Sequence, residues 1–228
     1  MLLSIFSFIA LIFSVIMHEY AHGWAAYRLG DQTAKNEGRL TLNPFAHIDL
    51  MGTIIMPLLL FISEVGFIIG WAKPVPYNPY NLRDQKYGEL KVAVAGPGIN
   101  FLIALTFGFL ARLIPLEGIL KIQLVFSYFK SGDDFLLSQM QGSFLTSLFV
   151  LSVIVCFINL LLTVFNLIPI PSLDGSKVLT AILPYQARQI FYRIEPYGFF
   201  IIIFLLASNL FSFILPVILF LFSLIIGI

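Results

Sequence analysis

Apolar residues fall in long runs, separated by short polar stretches. Residues 1–18, 92–111, 135–173 and 196–228 hold no Lys, Arg, Asp or Glu. A helix that crosses a bilayer needs about 20 mostly apolar residues. The pattern predicts membrane helices near residues 2–27, 50–70, 92–114 and 144–166, with one or two more within 197–227. Pro57 and Glu64 lie inside the second of these, so that span is expected to tilt or to be partly re-entrant beside a cavity. Asn209 and Pro216 interrupt the last stretch and leave its count at one or two. The expectation is an all-α polytopic membrane protein with about five to six transmembrane helices and a short re-entrant extended or β segment near residues 63–80.

Four polar connections remain, at residues 28–49, 71–91, 115–143 and 167–196. The second carries Lys73-Pro74-Val75-Pro76-Tyr77-Asn78-Pro79, whose prolines forbid a helix and favour an extended path. The third is amphipathic around Leu116–Phe129 and is expected on the membrane interface. No separate soluble module follows a linker, so residues 1–228 are read as one domain.

Composition narrows the class. Of 228 residues, 59% are hydrophobic and 11% charged, against roughly 45–50% and about 25% in soluble domains. A globule with so few charges cannot cover its surface with solvated groups, which excludes a soluble enzyme and a disordered chain. A net charge of +1 gives no reason to invoke nucleic acid. Cys156 is the single cysteine, so no internal disulfide is possible. No basic stretch precedes the apolar run Met1–Met17 and no small-residue cleavage site follows it, so it is read as a retained first membrane helix. The Lys/Arg bias does not orient the chain. Loops one and three carry six basic residues, loops two and four carry seven.

The first apolar run ends in His18-Glu19-Tyr20-Ala21-His22, the pattern H-E-x-x-H. Residues i and i+4 share one helix face, so two imidazoles can hold one Zn²⁺ while the adjacent glutamate takes a proton from water. Ionisable groups at membrane depth are costly and normally face a protein interior or a wet cavity. A catalytic zinc site uses three protein ligands and keeps a position open for water. The carboxylates near apolar spans, besides Glu19, are Asp49, Glu64 and Asp174. Asp174 follows Pro169-Ile170-Pro171-Ser172-Leu173 and precedes Gly175, where broken helix can carry it back to a buried site. The residues alone equally allow Asp174 to cap a following helix.

These features resemble the site-2 protease family of intramembrane zinc metalloproteases, in its compact members. The resemblance rests on five segments in the family's order: His18-Glu19-x-x-His22, Asn43-Pro44-Phe45-Ala46-His47-Ile48-Asp49, Gly70-Trp71-Ala72-Lys73-Pro74-Val75-Pro76, Ala95-Gly96-Pro97-Gly98-Ile99-Asn100, and Asn166-x-x-Pro169-x-x-x-Leu173-Asp174-Gly175. It implies one Zn²⁺ per chain held by His18, His22 and Asp174, with Glu19 as catalytic base. It also implies an active site nearer the cytosolic side of a cell (plasma) membrane. Two departures stand beside these motifs. Leu50 replaces a common Pro after Ile-Asp, and Ser172 a common Pro before Leu-Asp-Gly. The loops are too short for the PDZ domain or CBS pair of larger members.

Three further residues are candidates for supporting or substrate-positioning roles. His47 either bonds its own loop or polarises the scissile carbonyl, and the resemblance favours the second. Asn100 and Asn166 carry amides near the proposed ligands. Gly96 and Gly98 read as small-residue helix contacts. The expected activity is zinc-dependent hydrolysis of peptide bonds within or near transmembrane segments of membrane proteins, with the bilayer as surroundings. The extended segment at 70–80 is expected to offer a strand edge to an unwound substrate. The competing reading is a membrane metal-ion transporter or metal-binding protein, because intramembrane His, Glu and Asp also mark ion paths.

Overall fold

The structure is a computed structural model and describes residues 2–63, 70–130, 133–208 and 213–228. Its helices are α1 (Leu2–Arg28), α2 (Thr33–Asn36), α3 (Met56–Ile62), α4 (Gly88–Leu113), α5 (Gly118–Phe129), α6 (Asp133–Met140), α7 (Phe144–Asn166), α8 (Asp174–Ile182), α9 (Tyr185–Ile194), α10 (Gly198–Ala207) and α11 (Ile214–Ile226). No strand occurs among the described residues.

Among the described residues, three helices are long and apolar enough to cross a membrane: α1, α4 and α7. The apolar window of α7 is 56% buried, that of α1 only 22%, so α7 is the inner helix and α1 keeps a broad outer face. Leu2, Phe8 and Phe13 on α1, and Leu102 and Phe109 on α4, present that outer apolar surface. In water it would be costly to expose, and lipid tails match it.

α4 packs against α1, α7, α8 and α11. Ala104, Gly108 and Ala111 make its buried face there, and a Cβ on Gly108 would stand 2.2 Å from Ile225 Cγ2 of α11. Small residues of this kind let helix backbones approach where burial of apolar surface gives no drive. The apolar core collects Phe149, Val153, Ile154 and Leu160 of α7 with Leu124 of α5 and Ile218 and Phe222 of α11. Polar side chains of α7 form a second face: Ser152, Asn159 and Thr163 are buried at intervals of seven and four residues, beside Cys156.

Two expected spans have a different form. Of the helix expected over 50–70, the described part is helical: a wide π-helical turn at Leu50–Ile55 runs on into the seven-residue α3. Asp49 starts the turn by accepting from Gly52 N at 2.6 Å, and Pro57 falls in the first turn of α3, where its missing N–H is tolerated. Glu64 and most of the expected re-entrant stretch before Gly70 lie outside the described residues. Within 197–227 the structure has α10 and α11, of 10 and 13 residues, each shorter than a bilayer crossing by itself. The count of long apolar helices is therefore three among the described residues, against the five to six spans expected.

Loops bring the chain ends of these helices together. α1 stops at Gly30, whose φ of +112° suits glycine, and Asp31 N closes the end on Ala26 O at 3.0 Å. Asp31 is fully buried and accepts from Thr33 N, Thr33 Oγ1, Asn81 Nδ2 and Asn78 N. Burial alone would raise its pKa. The Thr33 hydroxyl, the Asn81 amide and the two backbone donors outweigh burial and lower it. This carboxylate fastens the end of the extended segment 71–78 to the foot of α1.

Candidate metal centre

One turn of α1 carries both histidines, and their Nε2 atoms stand 3.0 Å apart. Asp174 Oδ2 closes the triangle, at 3.0 Å from His18 Nε2 and 3.2 Å from His22 Nε2. The three side chains are only 8%, 11% and 14% exposed. Among the described residues this is the group of His, Cys, Asp and Glu able to hold a metal.

The tautomers can be assigned from the far side of each ring. His18 Nδ1 donates to Asn100 Oδ1 at 3.1 Å, and His22 Nδ1 donates to Val92 O at 2.7 Å. Both oxygens only accept, so both protons sit on Nδ1 and both Nε2 atoms present lone pairs. Two N–H groups could not face each other at 3.0 Å in any case. Three electron-pair donors thus converge with no proton between them. Neighbouring ligands of a tetrahedral ion with bonds of about 2.0 Å lie about 3.3 Å apart, close to the separations seen here. The donor set of two imidazoles and a carboxylate suits Zn²⁺.

α4 supplies the backing of the site. Val92, Gly96 and Asn100 are successive turns of one face. The outer two hold the imidazoles, and the middle one must be bare. A Cβ on Gly96 would lie 2.3 Å from His22 Nε2 and 2.6 Å from His18 Nε2. The glycine keeps open the space beside the two nitrogens that a metal would need.

Asp174 arrives from the break after α7. Ser172 has φ +78°, a conformation closed to proline, so the departure from the family's usual Pro at this position has a physical reason. Its Oγ donates to Glu195 O at 3.2 Å. Gly175 passes so close to the end of α7 that a Cβ would stand 2.3 Å from Leu167 O.

Glu19 points to the segment after Gly70. Its Oε2 accepts from Val75 N at 2.9 Å. Val75 is buried against Gly23, where an added Cβ would come within 2.7 Å of Val75 Cγ1. The segment is extended, and alternate N–H groups face the protein: Trp71 N donates to Gly52 O, Lys73 N to His47 O and Val75 N to Glu19. Arg39 Nη2 holds the carbonyls of Lys73 and Pro74. On the opposite edge Pro74 and Pro76 have no N–H, so Ala72 is left as its amide donor between Trp71 and Pro76. That edge is sparser than the sequence suggested.

The other expected residues divide. Asn100 is fully buried against His18. His47 is buried under the extended segment, with Nε2 on Thr41 O at 2.8 Å and Nδ1 without a partner. Asn166 Nδ2 donates to Leu162 O of its own helix at 2.9 Å. Asp49 serves its turn. Sequence reasoning missed Val92, Val75, Ser14 and Asn159. Only Asn159 left a usable signal, as an amide at the centre of a charge-free apolar run.

The family model of Peptidase family M50 matches residues 6–209 of this chain. The chain is 35% identical over 207 residues to "Putative zinc metalloprotease YwhC" of Bacillus subtilis (strain 168), covering 91% of this chain and 82% of that protein. It is 28% identical over 200 residues to "Putative zinc metalloprotease Rip2" of Mycolicibacterium smegmatis (strain ATCC 700084 / mc(2)155), covering 86% and 64%. Against "Putative zinc metalloprotease Rip2" of Mycobacterium tuberculosis (strain ATCC 25618 / H37Rv) the identity is 26% over 195 residues, covering 85% and 62%. The chain therefore spans less than two thirds of either Rip2 protein. No solved structure matches it.

Proposed function

This chain belongs to Peptidase family M50 and is a zinc metalloprotease with membrane-spanning helices, and we propose that it cleaves membrane proteins within or near their transmembrane segments. The observation that carries this reading is the convergence of His18, His22 and Asp174 donor atoms inside the α1, α4 and α7 bundle, rather than on a water-facing surface. His18, His22 and Asp174 would hold one Zn²⁺, which supplies a water of lowered pKa, about 7, and a Lewis acid for the carbonyl.

Glu19 is the base of the proposal. Val75 N–H fixes one carboxylate oxygen, leaving the other to take the proton from the attacking water and pass it to the leaving amine. Asn100 and the Val92 carbonyl orient the two imidazoles. A substrate helix hides its carbonyls in internal hydrogen bonds and must unwind first. We assign its docking to the outer edge of Trp71–Pro76, through Ala72 and the free Pro76 carbonyl, with His47 supporting that segment from beneath. Asn166 braces the last turn of α7 before the chain turns back to Asp174. The fuller topology of five to six spans, with the α3 region and α10–α11 completing it, belongs to the same proposal, as does residence in the plasma membrane with the site nearer the cytosol.

The test uses purified full-length protein in lipid nanodiscs, supplied with single-span membrane proteins and with soluble unfolded peptides of the same sequence. The reading expects one zinc per chain, lost in Asp174→Ala, and cleavage confined to the membrane-inserted form. Zinc retained in Asp174→Ala, or equal cleavage of the soluble peptides, contradicts it. Zinc moved across vesicles without proteolysis would favour a transporter.

A further inference from the structure

A chain of buried amides runs from His18 away from the proposed metal, through α4 and α7, and back to α1. Asn100 Oδ1 accepts from His18 Nδ1. Asn100 Nδ2 donates to Asn159 Oδ1 at 3.2 Å and reaches Ser14 O at 3.5 Å. Asn159 Nδ2 donates to Ser14 Oγ at 2.8 Å and to Val155 O at 2.9 Å. Ser14 Oγ in turn donates to Ala10 O at 2.7 Å. Asn100 and Asn159 are fully buried and Ser14 is 5% exposed.

The direction of this chain is forced. Ala10 O and Val155 O are carbonyls and can only accept. Ser14 has spent its proton on Ala10, so its Oγ must accept from Asn159. Asn159 must therefore keep its NH₂ toward Ser14 and Val155, and its oxygen toward Asn100. That in turn keeps the Asn100 NH₂ on the α7 side and its oxygen on His18. A carboxamide is nearly symmetric in shape, and nothing but its partners decides which end faces the imidazole. Were Asn100 reversed, its NH₂ would face His18 Nδ1. The imidazole proton would then move to Nε2, the atom that faces Asp174 and His22.

We propose that Asn159 is a positioning residue for the metal centre: by fixing the orientation of the Asn100 amide, it holds His18 in the tautomer whose Nε2 lone pair is free to bind the metal. This rests on the reading of His18 as a zinc ligand. Asn159 touches neither metal nor substrate, and its effect passes through Asn100 alone.

The experiment is a double-mutant cycle on the full-length zinc protein, read as zinc affinity by chelator competition. Asn159→Leu keeps the side-chain shape and removes both polar ends. It should weaken zinc at least ~10-fold, the scale of partners that orient metal-bound histidines. Asn100→Asp presents an acceptor at either end and needs no orienting. In that background Asn159→Leu should cost less than ~2-fold. Equal losses in the two backgrounds mean a general structural role and overturn the proposal, as does no loss in either.

Asn159→Ser serves as a second variant. Its hydroxyl can return to Val155 O, as Ser152 does to Leu148 O, but is too short to reach Asn100. It should reproduce the Asn159→Leu loss, and unchanged affinity counts against the proposal. Nitrogen-15 NMR of histidine in metal-free wild type gives an independent readout. His18 should carry its proton on Nδ1, and a proton on Nε2 sinks the proposal whatever the variants do. His18→Ala separates the two readings: wild-type zinc affinity there refutes the ligand assignment, whereas loss there with no effect at Asn159 refutes only the positioning role.

Discussion

Gly96→Ala adds a single methyl group and is expected to weaken the proposed metal centre by about two orders of magnitude. Ordinary contact begins near 3.4 Å, and the new Cβ would stand 2.3 Å from His22 Nε2, so the ring must retreat by about 1.1 Å. Retreat is blocked from behind. His22 is tied to Val92 O and His18 to Asn100, one turn before and one turn after Gly96 on the same helix. α4 has little room to slide away, because it is packed between α1 and α7. A misplacement of about 1 Å costs on the order of 100-fold in a preorganised site, equivalent to about 2.8 kcal/mol of zinc binding. The assay is zinc competition with a chelator, alongside cleavage of a membrane-inserted substrate. Gly98→Ala is the control. Nothing lies within 4 Å of its added Cβ, and replacing glycine inside a helix should stabilise by up to about 1 kcal/mol. Gly96→Ala with wild-type zinc affinity, or equal losses in both variants, would refute the geometry described for α4.

Three further outcomes follow from the surroundings of the site. Asp31→Asn should lower stability at pH 7 by about 1–3 kcal/mol, because it removes the charge from a buried acceptor of several hydrogen bonds. Since the folded pKa is depressed, this stability is full above the unfolded value of about 3.9 and fades as pH falls through the lower folded one. Thermal melting of wild type should therefore drop below pH 4 more steeply than that of Asp31→Asn, and parallel curves would contradict this. Val75→Pro deletes the donor to Glu19 within a segment already extended by its flanking prolines. Turnover should fall roughly 10- to 100-fold with zinc content unchanged, and unaltered turnover would show that the contact does not position the base. Ser172→Gly should match or exceed wild-type stability, by up to about 1 kcal/mol, because φ is +78° there. Ser172→Pro should fold poorly and lose zinc, and a stable zinc-loaded Ser172→Pro would refute that backbone path.

The residues drawn together at the proposed metal centre were legible where chemistry needs a particular side chain at a particular spacing. His18, Glu19 and His22 needed only the helical period, and the family resemblance singled out Asp174 from the other carboxylates. The long apolar helices were legible because a charge-free run of bilayer length has few alternatives. What stayed hidden acts through backbone or through absence. The Val75 amide and the Val92 carbonyl look like any other peptide group in a sequence. Gly96 read as a helix contact, whereas its lack of a side chain clears space beside two imidazoles. The widened helical turn at Leu50–Ile55 opens with Asp49 accepting from Gly52 N–H, which period and hydropathy do not record. Likewise, the alternation that points the N–H groups of Trp71, Lys73 and Val75 at the protein is set by three different partners.

The most direct test of the account compares wild type with Glu19→Gln on a membrane-inserted single-span substrate, with bound zinc measured in both. Glutamine keeps the shape and still accepts from Val75 N–H, but it cannot take a proton from water. The account predicts one zinc per chain in each protein, cleavage by wild type, and loss of cleavage in Glu19→Gln. Equal cleavage by the two proteins would contradict it.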